Sequence, residues 1–201
     1  MEMKWVQRHD IWNLILLPFI FLSTSYYLIF KEESDYYYYA IQYNIFIIYL
    51  IMDLIFIILI PQSVGAPDSI IIHHLIVLIG TVGANYSLPI PVRRYVASGF
   101  LVELNTWLKF AKRYSNPLLA NFFNILFYIS WISIRICWFP YLLFISISLF
   151  YESYSQDGNV FNCFLLLTIM LSVLLVMNIK WTHELFTKDS YLGRSATSKE
   201  I

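Results

Sequence analysis

Long apolar stretches, separated by short polar segments, run through most of this chain. A membrane-spanning helix needs about 20 mainly apolar residues, and five stretches come close to or exceed that length. They are residues 12–30, 39–60, 70–88, 92–110 and 160–182. The stretch 92–110 is the weakest, because basic residues lie near both of its ends, where their side chains can reach the membrane surface. The pattern predicts a bundle of membrane helices.

A sixth apolar region, Leu118–Phe150, is too long for one perpendicular span and too short for two. Its 33 residues make a helix of about 50 Å at 1.5 Å per residue. We expect one long tilted helix with a kink near Pro140, because proline removes a backbone hydrogen bond of the helix. The prediction is therefore an all-α integral membrane protein with six transmembrane helices.

The polar segments between the stretches are rich in helix-breaking and charged residues. Residues 61–69 contain two prolines and a glycine, residues 87–91 form a turn bracketed by prolines, and residues 151–159 are acidic. The sequence thus predicts a single membrane domain over residues 12–182. A short N-terminal segment, 1–11, precedes it, and a polar tail, 183–201, follows it.

Composition supports the membrane class. The chain is 59% hydrophobic and only 13% charged, whereas soluble domains are about 25% charged. Its formal net charge is zero, so it lacks the basic excess of a nucleic-acid-binding protein. The two cysteines have neither the spacing of a disulfide framework nor that of a zinc site.

The basic residues predict an orientation. Six spans place both termini on one side of the membrane, and that side receives nine Lys and Arg residues against three on the other. Since the cytoplasmic side carries the excess of Lys and Arg, we expect both termini in the cytosol, or in the matrix if the membrane is mitochondrial. The endoplasmic reticulum and the mitochondrial inner membrane both remain open.

Isolated ionisable residues inside the apolar stretches mark a candidate site. Asp53 lies about 10 Å before the end of its span, His73 and His74 about 5 Å after the start of theirs, and Glu103 about 10 Å before the end of its own. Antiparallel spans bring these residues into the same half of the membrane. A charge at this depth is costly, and it usually faces the bundle interior and pairs there. We therefore predict one shared polar centre.

The histidine pair has the chemistry of an active site. Adjacent side chains on a helix point about 100° apart, so a carboxylate can hold one imidazole while the other faces a cavity as base or nucleophile. The alternative is a structural role. Asp53 and Glu103 can also form ion pairs with Arg135 and Lys109, which would fix how the helices align with one another. A metal site is disfavoured, because adjacent histidines of a regular helix cannot both bind one ion.

Several short motifs, taken in order, carry a resemblance to a known family. They are Tyr49-Leu-Ile-Met-Asp53, His73-His74 followed by Gly80-Thr81, Glu103-Leu-Asn-Thr106 followed by Lys109, the segment Asn121–Arg135, and Trp181 near the end of the last span. Together they make the chain similar to the TLC-domain family from about residue 10 to 185. The resemblance implies a six-helix bundle around a lipid-accessible cavity.

The enzymes of this family are ceramide synthases, which transfer a fatty acyl group from acyl-CoA to a sphingoid amine. By this resemblance, His73 and His74 are the catalytic pair and Asp53 is their polar partner. The ceramide synthase signature also has a His-Asp pair and further acidic residues after the histidines, and residues 93–103 contain no such pair. The chain therefore looks closer to the branch outside the ceramide synthases, whose members are tied to membrane lipid composition and trafficking.

Two functions follow as hypotheses. The first is a protein of lipid homeostasis that binds acyl lipid and acts as a His-dependent acyltransferase on acyl-CoA, a substrate rather than a bound cofactor. Lys109, Lys112 and Arg113 would then attract the anionic CoA head at the cavity mouth, although the positive-inside bias also explains them. The second is a non-catalytic, lipid-holding subunit of a larger membrane complex. Membrane lipids are the expected partners in both.

Overall fold

Helices form almost all of the protein in a computed structural model that describes residues 2–32, 35–64 and 66–197. The helices are α1 (Glu2–Phe30), α2 (Tyr36–Leu59), α3 (Pro67–Ser87), α4 (Ile90–Ser98), α5 (Glu103–Tyr114), α6 (Pro117–Trp131), α7 (Phe139–Asp157) and α8 (Cys163–Thr197). The described residues include no strand. The predicted all-α class is therefore confirmed.

Five helical segments are long and apolar enough to cross a membrane. These are Trp5–Phe30, Tyr36–Leu59, Pro67–Tyr86, Pro117–Asp157 and Cys163–Thr187. A sixth helical element of the bundle is less apolar than these five. It consists of α4 and α5, which a 3₁₀ turn at Gly99–Val102 joins end to end. The architecture is that of a membrane helix bundle, and its span count agrees approximately with the six that the sequence predicts.

The long region after Pro117 is one uninterrupted helical rod, as the sequence predicts. It consists of α6, seven π-helical residues at Ile132–Trp138, and α7. Pro140 lies just after the π-helical turn. A proline has no N–H and its ring presses on the preceding turn, and a wider turn at this point accommodates both effects.

The first and last helices extend beyond the predicted spans. α1 begins at Glu2 rather than Trp12, and α8 continues to Thr197, well past residue 182. The buried face of α1 follows a helical spacing of three and four residues. It contains His9, Asn13, Leu17, Ile20, Thr24 and Tyr27, and Asp10 beside His9 is also buried. The residues 198–201 of the predicted tail lie outside the described residues.

Two arginines of α4 bind carbonyl groups at the ends of other helices. Arg93 donates through Nε to the carbonyl oxygen of Leu88 at 3.0 Å, at the end of α3. Arg94 donates to the carbonyls of Lys31 and Leu28, at the end of α1. Because the last carbonyls of a helix have no partner within it, these side chains satisfy groups that lipid would leave unpaired.

Polar contacts fix how α8 lies against the rod made of α6 and α7. Lipid gives little hydrophobic drive for helix association, so packing and interhelical hydrogen bonds take its place. Trp131 Nε1 donates to Thr182 Oγ1 at 3.0 Å, and Ser146 Oγ lies 2.8 Å from Thr168 Oγ1. From the first contact to the second, the residue number on the rod rises from 131 to 146 while that on α8 falls from 182 to 168. The two elements are therefore antiparallel.

Candidate functional site

Asp53 on α2 lies between two histidines from other helices. Its Oδ1 accepts a hydrogen bond from Nε2 of His9 at 2.6 Å, and its Oδ2 lies 3.0 Å from Nε2 of His74. Asp53 is only 5% exposed. One buried carboxylate therefore connects α1, α2 and α3 at membrane depth.

His74 has an acceptor at each ring nitrogen. Nε2 faces the Asp53 carboxylate, and Nδ1 lies 2.8 Å from the carbonyl oxygen of Ile70, one turn earlier on α3. Carboxylate and carbonyl oxygens only accept hydrogen bonds, so both contacts are hydrogen bonds only when the ring carries two protons. In that form His74 has no free lone pair, so it suits a positioning role better than that of base or nucleophile.

His9 is a member of this cluster that the sequence analysis missed. Its ring stacks on Phe56 at 4.4 Å between centroids, and the side-chain amide of Asn13 lies 3.1 Å from its Nε2. Nδ1 of His9 is buried and has no hydrogen-bond partner in the described part of the chain. The signal available in the sequence was the spacing of two polar residues, His9 and Asn13, in register with the apolar positions Leu17 and Ile20.

His73 points away from Asp53, in a different direction from His74. The two imidazole rings lie 5.6 Å apart at 80°, as their adjacency on a helix predicts. His73 meets Trp181 of α8 edge to face at 5.2 Å, and among the described residues its buried Nδ1 has no hydrogen-bond partner. This ring lines a cavity, so it is the histidine of the pair that an occupant would meet.

The cavity lies between α2, α3, α4, α5, α7 and α8 and has a volume of about 70 Å³. Apolar side chains and glycines form most of its wall. The polar side chains on the wall are those of His73, Thr81, Tyr95, Glu103 and Ser146. Its lining is therefore suited to an apolar occupant with a small polar group.

Glu103 lies on the cavity wall rather than in direct contact with the histidines. It is 7% exposed, and among the described residues it makes no ion pair within 4.0 Å. The carboxylate lies close to the Thr106 hydroxyl, and it is close enough to interact electrostatically with Asp53 and His74. The sequence placed Glu103 at the correct depth, and the structure separates it from the Asp53–His74 contact.

Arg135 is a buried cation held by neutral groups. Its NH1 donates to Asn178 Oδ1 at 2.6 Å and its Nε to Asn105 Oδ1 at 3.3 Å. Its guanidinium also lies over the rings of Trp131 and Trp181, at 4.5 and 5.4 Å. Because Trp181 also contacts His73, this cluster lies directly behind the polar end of the cavity.

A sequence match covers most of the bundle that carries these residues. Residues 9–187 match the TLC domain. The chain belongs to the TLC-domain family. Neither the curated proteins nor the solved structures include a significant match to it. The family assignment confirms the resemblance drawn from Asp53, His73-His74 and Glu103, and it places the protein in a membrane family generally linked to lipid handling. The branch within the TLC family is not assigned by this match.

The basic residues predicted to attract CoA lie at the end of α5 in this TLC domain. Lys112 donates to Asn124 Oδ1 at 2.6 Å, and Arg113 donates to Asp10 Oδ2 at 2.5 Å. All three basic side chains, including that of Lys109, are exposed. Arg113 therefore anchors α5 to α1. An anionic ligand at this surface would still meet all three basic side chains.

The described part of the TLC domain contains no cluster of three or more His, Cys, Asp or Glu side chains arranged to hold a metal ion. Asp53 has both oxygens engaged by imidazole nitrogens.

Proposed function

We propose that this protein binds an acyl lipid, with the chain in the intramembrane cavity and a polar group against His73 and Glu103. The single observation that carries the proposal is the lining of the cavity, which is apolar except for a few side chains and has these two at one end. The family's link to lipid handling supports the same function.

The physical argument concerns what fills such a space. Cavities with apolar walls stay dry, and a water needs two to four polar partners. In a membrane, acyl chains are the abundant apolar molecules. Inside the bilayer an ionisable group is costly and usually marks a functional site. The buried Nδ1 of His73 has no hydrogen-bond partner among the described residues, so a polar group on the lipid could supply that hydrogen bond.

Filling the cavity tests this proposal. Leu171 lines the cavity on α8, while Val173, two residues along the same helix, is 40% exposed on the outer surface. We expect Leu171→Trp to remove the co-purifying lipid and Val173→Trp to retain it, as measured by mass spectrometry of extracts from purified protein. If both variants carry the same lipid as the wild type, the cavity is not the binding site.

A second candidate function is acyl transfer, and the arrangement of the histidine pair favours it. With His74 held by Asp53 and Ile70, His73 would be the base. An amine would attack the thioester carbonyl of acyl-CoA, the C–N bond would form, the C–S bond would break, and His73 would accept the proton lost by the nitrogen. Lys109, Lys112 and Arg113 would attract the CoA phosphates.

The non-catalytic alternative is a lipid-holding subunit of a larger membrane complex. The absence of a His-Asp pair in residues 93–103 supports this reading and a place outside the ceramide synthase branch. The discriminating measurement is the cellular lipid profile on expression. Under acyl transfer, His73→Gln abolishes the lipid change at unchanged protein abundance, whereas His183→Gln, on the exposed surface of α8, retains it. A lipid profile that follows abundance in all variants supports the subunit alternative.

The orientation and organelle belong to the same proposal. The excess of Lys and Arg on the side of the termini supports cytosolic or matrix termini. Under the acyl-transfer reading, acyl-CoA would approach from that side, where α5 ends in its basic residues. Both the endoplasmic reticulum and the mitochondrial inner membrane satisfy this requirement.

A further inference from the structure

Met170 of α8 packs its side-chain tip directly onto Gly80 of α3. A Cβ atom added at Gly80 would lie 1.5 Å from both Sδ and Cε of Met170. These atoms therefore occupy the space that the side chain of any other residue at position 80 would take. Met170 is 9% exposed, so the contact lies inside the bundle.

Both residues line the cavity, and they lie partway along it. Gly80 follows His73 by seven residues on α3, which is about 10 Å along the helix. Beyond Met170, the wall continues with Leu167 on the same helix and with Ser146 and Leu149 on α7. Met170 thus lies between the end of the cavity at His73 and a far end that is apolar in Leu167 and Leu149, with the Ser146 hydroxyl hydrogen-bonded to Thr168.

The packing of the bundle supports this division. At the end near His73, Val102, Phe139 and Leu174 form one core cluster. At the other end, Ala84, Leu88 and Val92 form a separate cluster, against which Leu167 packs. Met170 belongs to neither cluster. It therefore lies between the two clusters, since Leu167 and Leu174 flank it on α8.

We propose that Met170, seated on Gly80, sets how deeply an acyl chain enters the cavity and so determines which chain lengths the protein binds. The inference rests on the proposed lipid-binding function and adds a specificity-determining residue to it. Methionine suits the role, because its unbranched side chain has three rotatable bonds and adapts to the space around it.

The geometry predicts opposite effects for substitutions at the two positions. Met170→Ala removes the side chain that narrows the cavity, so longer chains should fit. Gly80→Ala adds a methyl group where the Met170 tip now lies. The tip is the flexible end of a side chain, so it should move away from α3 and into the cavity, and shorter chains should then be favoured.

Matched controls are available on the same two helices. Gly83→Ala also replaces a glycine of α3, but the added methyl group would meet Leu166, 3.0 Å away, which is 41% exposed and does not line the cavity. Val173→Ala removes an exposed side chain from α8. Neither control changes the cavity.

The experiment uses the full chain, purified in detergent and exchanged against an equimolar series of saturated straight-chain primary alcohols of graded length. These probes carry a small hydroxyl group for the polar end. The bound alcohols are extracted and quantified by mass spectrometry. We expect the preferred length to shift to longer chains in Met170→Ala, to shorter chains in Gly80→Ala, and to stay unchanged in both controls.

Two outcomes overturn the proposal, and they are distinguishable. If the wild type binds a preferred length and neither Met170→Ala nor Gly80→Ala changes it, Met170 does not set chain length, while lipid binding stands. If the wild type neither binds any alcohol nor carries a co-purified lipid, the proposed function fails and this inference fails with it. If one variant does not fold, the other still decides the question.

Discussion

The Oδ2 atom of Asp53 lies 3.0 Å from Nε2 of His74, across the interface of the antiparallel helices α2 and α3. The same carboxylate accepts a hydrogen bond from His9 of α1. In lipid, contacts of this kind help hold helices together, so the site also stabilises the packing of α1, α2 and α3. Changes at Asp53 should therefore alter both stability and any chemistry of the site.

We expect Asp53→Asn to destabilise the protein by about 3–5 kcal/mol, because removing one partner of a buried ion pair leaves the other uncompensated. The amide would also direct an N–H group at an imidazole N–H group. Unfolding of the purified protein on transfer from mild detergent into SDS measures the effect. Asp68→Asn, on an exposed position of α3, is the control, and equal stability of the two variants would contradict the prediction.

His9→Ala tests the residue that sequence analysis missed. The substitution removes a hydrogen bond to a buried carboxylate, a loss of about 1.5–3 kcal/mol, and the stacking on Phe56. The matched change His183→Ala, at an exposed position of α8, should alter stability by less than about 0.5 kcal/mol. If His9→Ala is as stable as the control, the contact with Asp53 is energetically unimportant.

Asn178→Leu should destabilise the bundle through Arg135. Asn178 is 1% exposed and accepts from the guanidinium, so leucine would leave a buried N–H donor unpaired, at a cost of about 1–3 kcal/mol or more for a charged group. Asn121→Leu, on the exposed face of α6, serves as the control in the same SDS titration. A stability loss in both variants alike would indicate a general effect of leucine rather than loss of this contact.

The crossing pattern predicts on which side each turn lies. Gln62 follows α2 and Gln156 lies at the end of α7, and both side chains are exposed. In a variant without Cys137 and Cys163, we expect Gln62→Cys to react with an impermeant thiol reagent from the side of the termini, and Gln156→Cys from the other. Labelling of both from one side would rule out the six-crossing arrangement.

The sequence alone could predict the features that depend on length and depth. The apolar stretches predicted the helical bundle and a single rod over residues 118–150, which the structure extends to 117–157. The distance of Asp53 and His74 from their span ends predicted that they share one level of the membrane, and the structure joins them. These inferences hold because the helix rise per residue is nearly constant.

The partners of these residues could not be predicted in the same way. His9 lies in a stretch with Lys4, Arg8 and Asp10, whose charges indicate a segment outside the membrane. Which face of each helix turns toward which neighbour depends on tertiary packing. The position of Glu103 along its span predicted its level in the membrane. It did not show that Glu103 lies on the cavity wall, apart from His74.

The π-helical turn at Ile132–Trp138 holds about one residue more than a regular helix would use to place the same residues of α7 against α8. A deletion within this turn would restore a regular helix and leave α6 and α7 nearly in phase, whereas a deletion in the regular turns of α6 would rotate all that follows by about 100°. Phe139, Leu142 and Ser146 would then turn away from the cavity, and Ser146 would lose Thr168. A shorter rod would still span the membrane, but its side chains would be out of phase with α8. Single-residue deletions should therefore be tolerated in the Gly158–Asn162 turn, less harmful in the π-helical turn, and most harmful in the regular turns of α6.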